Sequence, residues 1–129
     1  KESSDSLTIR KQKIETVFSD LIIRLSTFIT RTQTALDRLS TKGIDTAAAQ
    51  SELIVATKNL TEARTNFEIL TTMNISDDAS DQSIYQLKEL VKRIEDNLKD
   101  TRAKLITSLL TLKSAISEQA SVESTTQTQ

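Results

Sequence analysis

Three arginines recur at seven-residue intervals near the start of the chain and could bind an anion or an acidic surface. In a helix, Arg24, Arg31 and Arg38 would form one column beside an apolar stripe. No aromatic residues interleave with this column and the net charge is −1. We therefore interpret it as a column that flanks the core and covers apolar surface with its aliphatic stems. If an exposed helix face binds a partner, these arginines and the adjacent Ile22 and Ile23 are its first candidates.

Three aspartates cluster between two helical segments and could offer oxygen ligands to a hard cation. Asp77, Asp78 and Asp81 do not match the spacing of an EF-hand loop, and no Gly makes the turn that such a loop needs. Acidic residues are also favoured at helix N-termini. We therefore interpret the cluster as helix capping and expect no metal site.

Neighbouring carboxylates in the last third of the chain could act as an acid and a base. Glu95 could pair with Asp96 or with Asp100. Basic residues at the neighbouring helical turns make this stretch typical of a solvated ion-pair face. Catalysis also needs a concave pocket that excludes water, and we expect a narrow bundle to offer none. The sequence therefore predicts that the protein is not an enzyme.

The composition excludes further classes of function. The 129 residues contain no His, Cys, Pro or Trp, and one Gly. These counts exclude disulfides, thiol or imidazole catalysis, ordinary zinc sites and glycine-rich phosphate loops. We therefore expect no cofactor. The nearly neutral charge argues against nucleic acid as the main partner, and no apolar run is long enough to span a membrane.

Two Asn-containing tripeptides match the pattern of glycan acceptors. They begin at Asn59 and at Asn74, in a chain where Ser and Thr make up 34 of 129 residues, so chance matches are expected. Asn59 falls inside a predicted helix. Only Asn74, in a predicted loop, is a reasonable acceptor, and only in a secreted eukaryotic protein.

The apolar residues recur with helical spacing nearly throughout, which predicts an all-α fold. We expect an antiparallel up-down-up bundle of three long, coiled-coil-like helices at about 6–41, 45–72 and 80–118, forming one domain. The first helix would be roughly 50 Å long. Its stripe is wider than a coiled-coil seam, because a second column of Ile22, Ile29 and Leu36 lies beside the first.

The turn between the first two helices is the most specific local signal. Gly43, the only glycine, stands where a helix C-terminus needs a left-handed residue. Ile44 should fold back toward Leu39. Asp45 should cap the second helix by accepting a hydrogen bond from the amide of Ala47 or Ala48.

The spacing of apolar residues and the candidate capping residues also predict the second and third helices. The second alternates large and small core residues, and its alanines let backbones approach closely. The third should begin near Ser80 or Ser83, with Ser83 and Gln86 as a candidate capping box. Its stripe shifts at Thr101 and Arg102, which predicts a local bend or a layer of different packing.

Charge and burial complete the expected bundle. The middle helix is acidic between two basic ones, with net charges of +3, −5 and +2 over residues 5–42, 45–81 and 83–118. We expect this pattern to favour the pairing while contributing little stability. We expect a dry, apolar core, with these residues the most buried: Phe18, Leu21, Leu25, Phe28, Leu53, Leu60, Phe67, Leu87, Val91, Ile94, Leu98, Leu105 and Leu112.

Both ends of the chain are polar. We expect residues 1–5 to be disordered or to represent a cut N-terminus. Residues 119–129 form a Ser/Thr/Gln tract that cannot bury apolar area, which predicts a linker or tail.

Several segments together suggest a family. They are residues 10–18, 23–25 and 36–39 and the turn from Gly43 to Ala49. This combination resembles uncharacterised exported helical-bundle proteins of candidate-phyla (Patescibacteria-type) bacteria, over most of residues 10–118. The resemblance implies export to the cell envelope or surface, and no activity or site residues. Spectrin-like repeats share the expected architecture, but their characteristic Trp is absent here.

These observations favour a non-enzymatic module of the cell envelope or surface, acting as a spacer, scaffold or adhesion rod with a protein partner. A first alternative is a bundle that opens to bind a lipid surface, for which the sequence offers Ile22, Ile23, Ile29, Ile54, Val55 and Ile69. A second alternative is a cytosolic coiled-coil subunit of an assembly.

Overall fold

The protein is a three-helix bundle. The computed structural model describes residues 2–75 and 79–128, and the side chains of 7–75 and 79–122. The helices are α1 (Glu2–Thr41), α2 (Ala47–Thr72) and α3 (Asp81–Thr128), and no strand occurs within the described ranges. They run up, down and up, which confirms the predicted architecture. α2 packs most extensively against α3, less against α1, and α1 packs least against α3.

The chain leaves α1 through a Schellman motif centred on the only glycine. Gly43 adopts a φ of +89°. Its amide donates to the carbonyl of Ser40 at 3.0 Å, and the amide of Ile44 donates to the carbonyl of Leu39 at 3.0 Å. This is the paired bonding that satisfies the last carbonyls of a helix. The predicted role of Gly43 and the return of Ile44 toward Leu39 are confirmed.

Replacing Gly43 with valine should lower the free energy of unfolding by about 1 kcal/mol or more. A Cβ at this position would meet nothing within 4 Å, so the cost would come from the positive φ alone. Gly43→Asn is the matched control, because asparagine tolerates this region better than a β-branched residue. Urea denaturation followed by circular dichroism measures both variants. Equal stability of the valine variant and the native chain would contradict this account.

Short side chains accept hydrogen bonds from amides at the start of the two later helices. The amide of Ala47 donates to Oδ1 of Asp45 at 3.1 Å, as predicted, but the N-cap residue of α2 is Thr46, whose side chain makes no capping hydrogen bond, so the prediction of Asp45 as the N-cap is wrong. The amide of Ser83 donates to Oγ of Ser80 at 3.1 Å. Ser80 therefore caps α3, and the alternative start at Ser83 with its capping box is wrong.

Two apolar clusters stack along the bundle axis. The first contains Phe18 and Ile22 of α1, the buried apolar residues in the second half of α2, and those in the first half of α3 as far as Leu98. The second contains Leu36 with the buried residues that surround Leu105 and Leu112. Thr101 is fully buried between these parts of α3. The predicted layer of different packing therefore exists, and α3 passes through it as one helix.

The core is not wholly apolar. Thr32, Thr101 and Ser108 are buried. The Thr101 hydroxyl donates to the carbonyl of Asn97 at 2.7 Å, and the Ser108 hydroxyl donates across helices to the carbonyl of Ala49 at 2.8 Å. These bonds satisfy the hydroxyls and allow them to be buried. The prediction of a purely apolar core is therefore wrong at these positions.

Two residues predicted to be among the most buried are exposed instead. Leu21 and Phe28 are 37% and 46% exposed. Leu25, Phe67 and Val91 are half-buried, and the other eight predicted core residues are buried. The sequence places Leu21 and Phe28 on the apolar side of α1, but α3 does not close over that side.

Among the described side chains, hydrogen bonds and not ion pairs join the helices, and a charged group takes part in some of them. The amides of Gln33 and Gln50 exchange hydrogen bonds at 2.7 and 2.8 Å between α1 and α2. Asn66 donates to Asn97 at 2.9 Å between α2 and α3. The ion pairs among the described side chains lie within α1. The expected contribution of charge to helix pairing therefore does not take the form of interhelical salt bridges.

The helices extend farther than the sequence pattern predicts. α1 already begins at Glu2, and α3 continues past Glu118 to Thr128. The predictions of a disordered start and of a C-terminal linker therefore do not fit the helical backbone of residues 2–5 and 119–128, while residues 1 and 129 lie outside the described residues. Neither segment contains Gly or Pro, and adding residues to an existing helix requires no new nucleation.

Candidate functional site

An apolar groove separates α1 from α3 at the middle of the bundle. Its volume is about 590 Å³. Phe18, Leu98 and Leu105 are buried residues in its lining, while Leu21, Phe28 and Ile106 are exposed there. Exposed apolar side chains that line one concave surface are typical of a binding site. We refer to this feature as the α1–α3 groove.

The rim of the groove is mainly basic. Arg24 of α1 and Lys99 and Arg102 of α3 contribute three cationic groups, and Glu95 contributes one carboxylate. All four are exposed. The Nε atom of Arg24 lies 3.0 Å from Oδ2 of Asp20, which partly offsets its charge. The groove therefore combines an apolar lining with a surplus of positive charge at its edge.

The groove exists because α2 and α3 pack more closely than α1 and α3. Ala49, Ala56 and Ala63 recur every seven residues on α2 and are fully buried. Such small residues allow the backbones of two helices to approach. By contrast, α1 meets this region with bulky Phe18 and Phe28, and among the described residues no hydrogen bond joins it to α3 across the groove.

The arginine column occupies more than one environment. Arg24 lines the groove, whereas Arg31 and Arg38 are exposed and do not line it. The structure thus brings one member of the column together with Lys99 and Arg102, which lie far away in sequence. The interaction face predicted from three arginines in one helix stays a prediction, and only Arg24 is placed beside a concave surface.

Ile22 and Ile23 do not form one exposed edge. Ile22 is 7% exposed and belongs to the first core cluster, while Ile23 is 61% exposed. Successive helical residues point about 100° apart around the axis, so Ile22 can lie in the core while Ile23 is largely exposed. Ile23 instead borders a shallower depression of about 450 Å³ together with Phe67.

The carboxylates predicted as alternative chemistry are not gathered at the groove. Among the described residues that line the groove, Glu95 is the sole carboxylate. Asp96 and Asp100 are exposed on α3 and do not line it. Asp77 and Asp78 lie outside the described residues, and Asp81 is the first residue of α3. Within the described part of the chain, no three acidic residues are grouped so that they could hold a metal ion.

Tyr85 forms a separate polar feature near the start of α3. Its hydroxyl donates to Oε1 of Glu89 at 2.9 Å. This hydrogen bond, together with the negative charge of Glu89, raises the pKa of Tyr85 above its ordinary value. The pair lies outside the groove. Of the two glycan patterns, Asn59 lies within α2 and Asn74 is exposed in the connection to α3.

The sequence predicts no concave pocket that excludes water, and the groove, which is open along one side, is not such a pocket, but the pattern gave no expectation of a concave apolar surface. The groove can hold a ligand with an apolar side and anionic groups. Sequence reasoning missed it because Leu21 and Phe28 were assigned to the core. One signal pointed toward it: the α3 stripe shifts at Arg102 and continues at Leu105 and Ile106, which widens its apolar side.

Comparison with protein-family models, with curated proteins and with solved structures finds no match for this chain. The resemblance to exported helical-bundle proteins of candidate-phyla bacteria therefore stays an expectation from the sequence. In the ranges that the structure describes, none of the helices is apolar enough over a sufficient length to cross a membrane.

Proposed function

We propose that this chain is a non-enzymatic interaction module that docks a partner protein in the α1–α3 groove. The observation that carries the proposal is the exposure of Leu21, Phe28 and Ile106 along one concave surface. Covering them would remove apolar area from water, which is the main driving force of protein association. The single carboxylate of the described lining lacks a partner for acid–base chemistry, which supports a binding role over a catalytic one.

The module acts at the cell envelope or surface in this proposal. This part is supported by the resemblance of the chain to exported helical proteins and by its Ser/Thr-rich composition. A cytosolic subunit of an assembly would use the same groove. Fractionation of the native cells, followed by detection of the protein in each fraction with an antibody, distinguishes the two locations.

Site-specific crosslinking tests the docking role. The chain contains no Cys, so one introduced cysteine is the only thiol available for a photoreactive maleimide. Glu95→Cys places the probe in the groove lining, and Lys58→Cys places it on an exposed position of α2. We expect the groove probe to crosslink a discrete protein in extracts of the native cells and the α2 probe to leave it uncrosslinked. The same products from both positions would contradict the proposal.

The identity of the captured protein must then be checked in purified form. It should bind the native module and the Arg38→Glu variant alike, because Arg38 does not line the groove. It should bind the Arg102→Glu variant more weakly. Equal binding to all three proteins would place the interface elsewhere on the bundle.

A lipid-surface binder is the second candidate. Ile23, Ile54, Val55 and Ile69 are exposed on α1 and α2, which supports contact with an apolar surface. The other two apolar residues predicted to contact lipid are less accessible, since Ile22 is buried and Ile29 is half-buried. All six residues could contact a lipid surface only if the bundle opened. Flotation with liposomes separates this candidate from the docking module. Flotation that survives Arg102→Glu but is lost on replacing Ile54 and Ile69 with Ser would favour it.

A further inference from the structure

We propose that the occupant of the α1–α3 groove is an acidic amphipathic helix of a partner protein. This inference rests on the proposed docking function and names the chemistry of the partner. Binding would add a fourth helix beside α1 and α3 and convert the three-helix bundle into a four-helix bundle. Leu21, Phe28 and Ile106 would then be covered by the apolar face of the added helix.

The dimensions of the groove fit a short helix. On α1 its lining runs from Phe18 to Phe28, and on α3 from Glu95 to Ile106. At 1.5 Å per residue each wall is about 16 Å long, or about three helical turns. A helix of this length presents apolar anchors at i, i+3, i+4 and i+7, which is the usual mode of helix recognition in a groove.

The openness of the groove favours a helix over an acyl chain. The exposed walls at Leu21, Phe28 and Ile106 show that the groove covers an occupant from one side only. An acyl chain is apolar on all sides and would keep part of its surface in water. An amphipathic helix turns its polar side to water and buries only its apolar face.

The positive charge of the rim favours a partner with negative charge. Arg24, Lys99 and Arg102 stand against the carboxylate of Glu95 at the rim and that of Asp20, which is paired with Arg24, so a surplus of positive charge remains. Acidic residues that flank the apolar face of a helix would complement it. Such rim charges contribute more to specificity and association rate than to affinity.

The same charge argues against a second copy of this chain in the groove. A two-fold symmetric dimer would bring two identical rims together, because each surface then contacts its own copy. Two basic rims would repel each other. A partner with the opposite charge is therefore favoured over self-association at this face.

Three fluorescent peptides of about 16 residues test the inference, since a helix of this length is about 24 Å long and extends past both ends of a groove of about 16 Å. The first carries leucines on one helical face with flanking glutamates. The second has the same leucines with flanking lysines. The third has the composition of the first with the leucines scattered around the helix. We expect fluorescence anisotropy to show the first binding at least about tenfold more tightly than the other two.

Matched variants locate the peptide on the bundle. Lys99→Glu combined with Arg102→Glu should weaken binding of the acidic peptide by about tenfold or more, because two attractions become repulsions. Phe28→Ser should also weaken it, through loss of an apolar contact. Arg38→Glu and Ile54→Ser are exposed changes away from the groove and should leave binding unchanged. Circular dichroism confirms that every variant retains its helices.

Other occupants give distinct results. Tighter binding of the lysine peptide, still lost in Phe28→Ser, would overturn the acidic assignment while the groove keeps its docking role. Phe28-dependent binding of palmitate or of phosphatidylglycerol vesicles, without peptide binding, would overturn both this inference and the proposed function. A concentration-dependent dimer in light scattering that Phe28→Ser abolishes would make a second copy the occupant. Equal binding of the scattered peptide would also overturn the inference.

Discussion

Replacing Leu60 with alanine is expected to lower the free energy of unfolding by about 2–5 kcal/mol. Leu60 is 3% exposed and belongs to the first core cluster, which contains residues of all three helices. Truncation removes three carbon atoms, the Cγ methine and both Cδ methyl groups, from a close-packed interior and leaves a cavity that the neighbours fill only in part. Urea denaturation followed at the helical circular-dichroism band measures the loss.

The control for this prediction lies on the same helix. Ile54 of α2 is 60% exposed, so Ile54→Ala should change stability by no more than about 0.5 kcal/mol. Both substitutions place alanine in a helix, and they differ mainly in burial. If the two variants lost similar amounts of stability, Leu60 would not lie in the core that the structure shows.

Enlarging Ala56 to leucine should destabilise the bundle by about 1–3 kcal/mol. Ala56 is 0% exposed, in the second core cluster with Leu53 and Leu105. The added atoms would have to displace these neighbours or separate α2 from α3. Added hydrophobicity alone would raise the free energy of unfolding. We expect it to fall, because the space between the helices is already filled.

Ala48→Leu is the matched control for the enlargement. Ala48 is exposed in the first turn of α2, so the added side chain extends into solvent. The free energy of unfolding of this variant should stay within about 0.5 kcal/mol of that of the native chain. A tolerated leucine at position 56, measured by thermal unfolding of both variants, would show that α2 and α3 do not pack as closely as described.

Local structure was predictable because its causes are local. Within three residues, Gly43 provides the positive φ, Ile44 provides the amide that donates back to α1, and Asp45 provides the carboxylate that accepts from the first turn of α2. The end of α2 at Thr72 was predicted for the same reason, because the chain then enters a stretch of turn-forming residues. No distant contact is needed to decide these features.

Burial was predicted most accurately on the surfaces that two closely packed helices share. The alanine repeat of α2 marks the side that meets α3, and Leu53, Leu60 and Leu98 are buried there as expected. Leu21 and Phe28 carry an equally strong apolar pattern and are exposed. A single helix cannot show whether another helix closes over its stripe, because that depends on the distances between helix axes.

The number of helices, their approximate inner ends and the apolar side of each could be predicted from the amino-acid pattern alone. These properties follow from spacing, capping and the conformational freedom of Gly43, all of which act over a few residues. That Arg24, Lys99 and Arg102 share one rim, and that Ile22 is buried while Phe28 is exposed, follows from how the helices pack together. The physical reason is that α2 and α3 approach closely through small residues, while α1 packs much less extensively against α3 and leaves part of its apolar side uncovered.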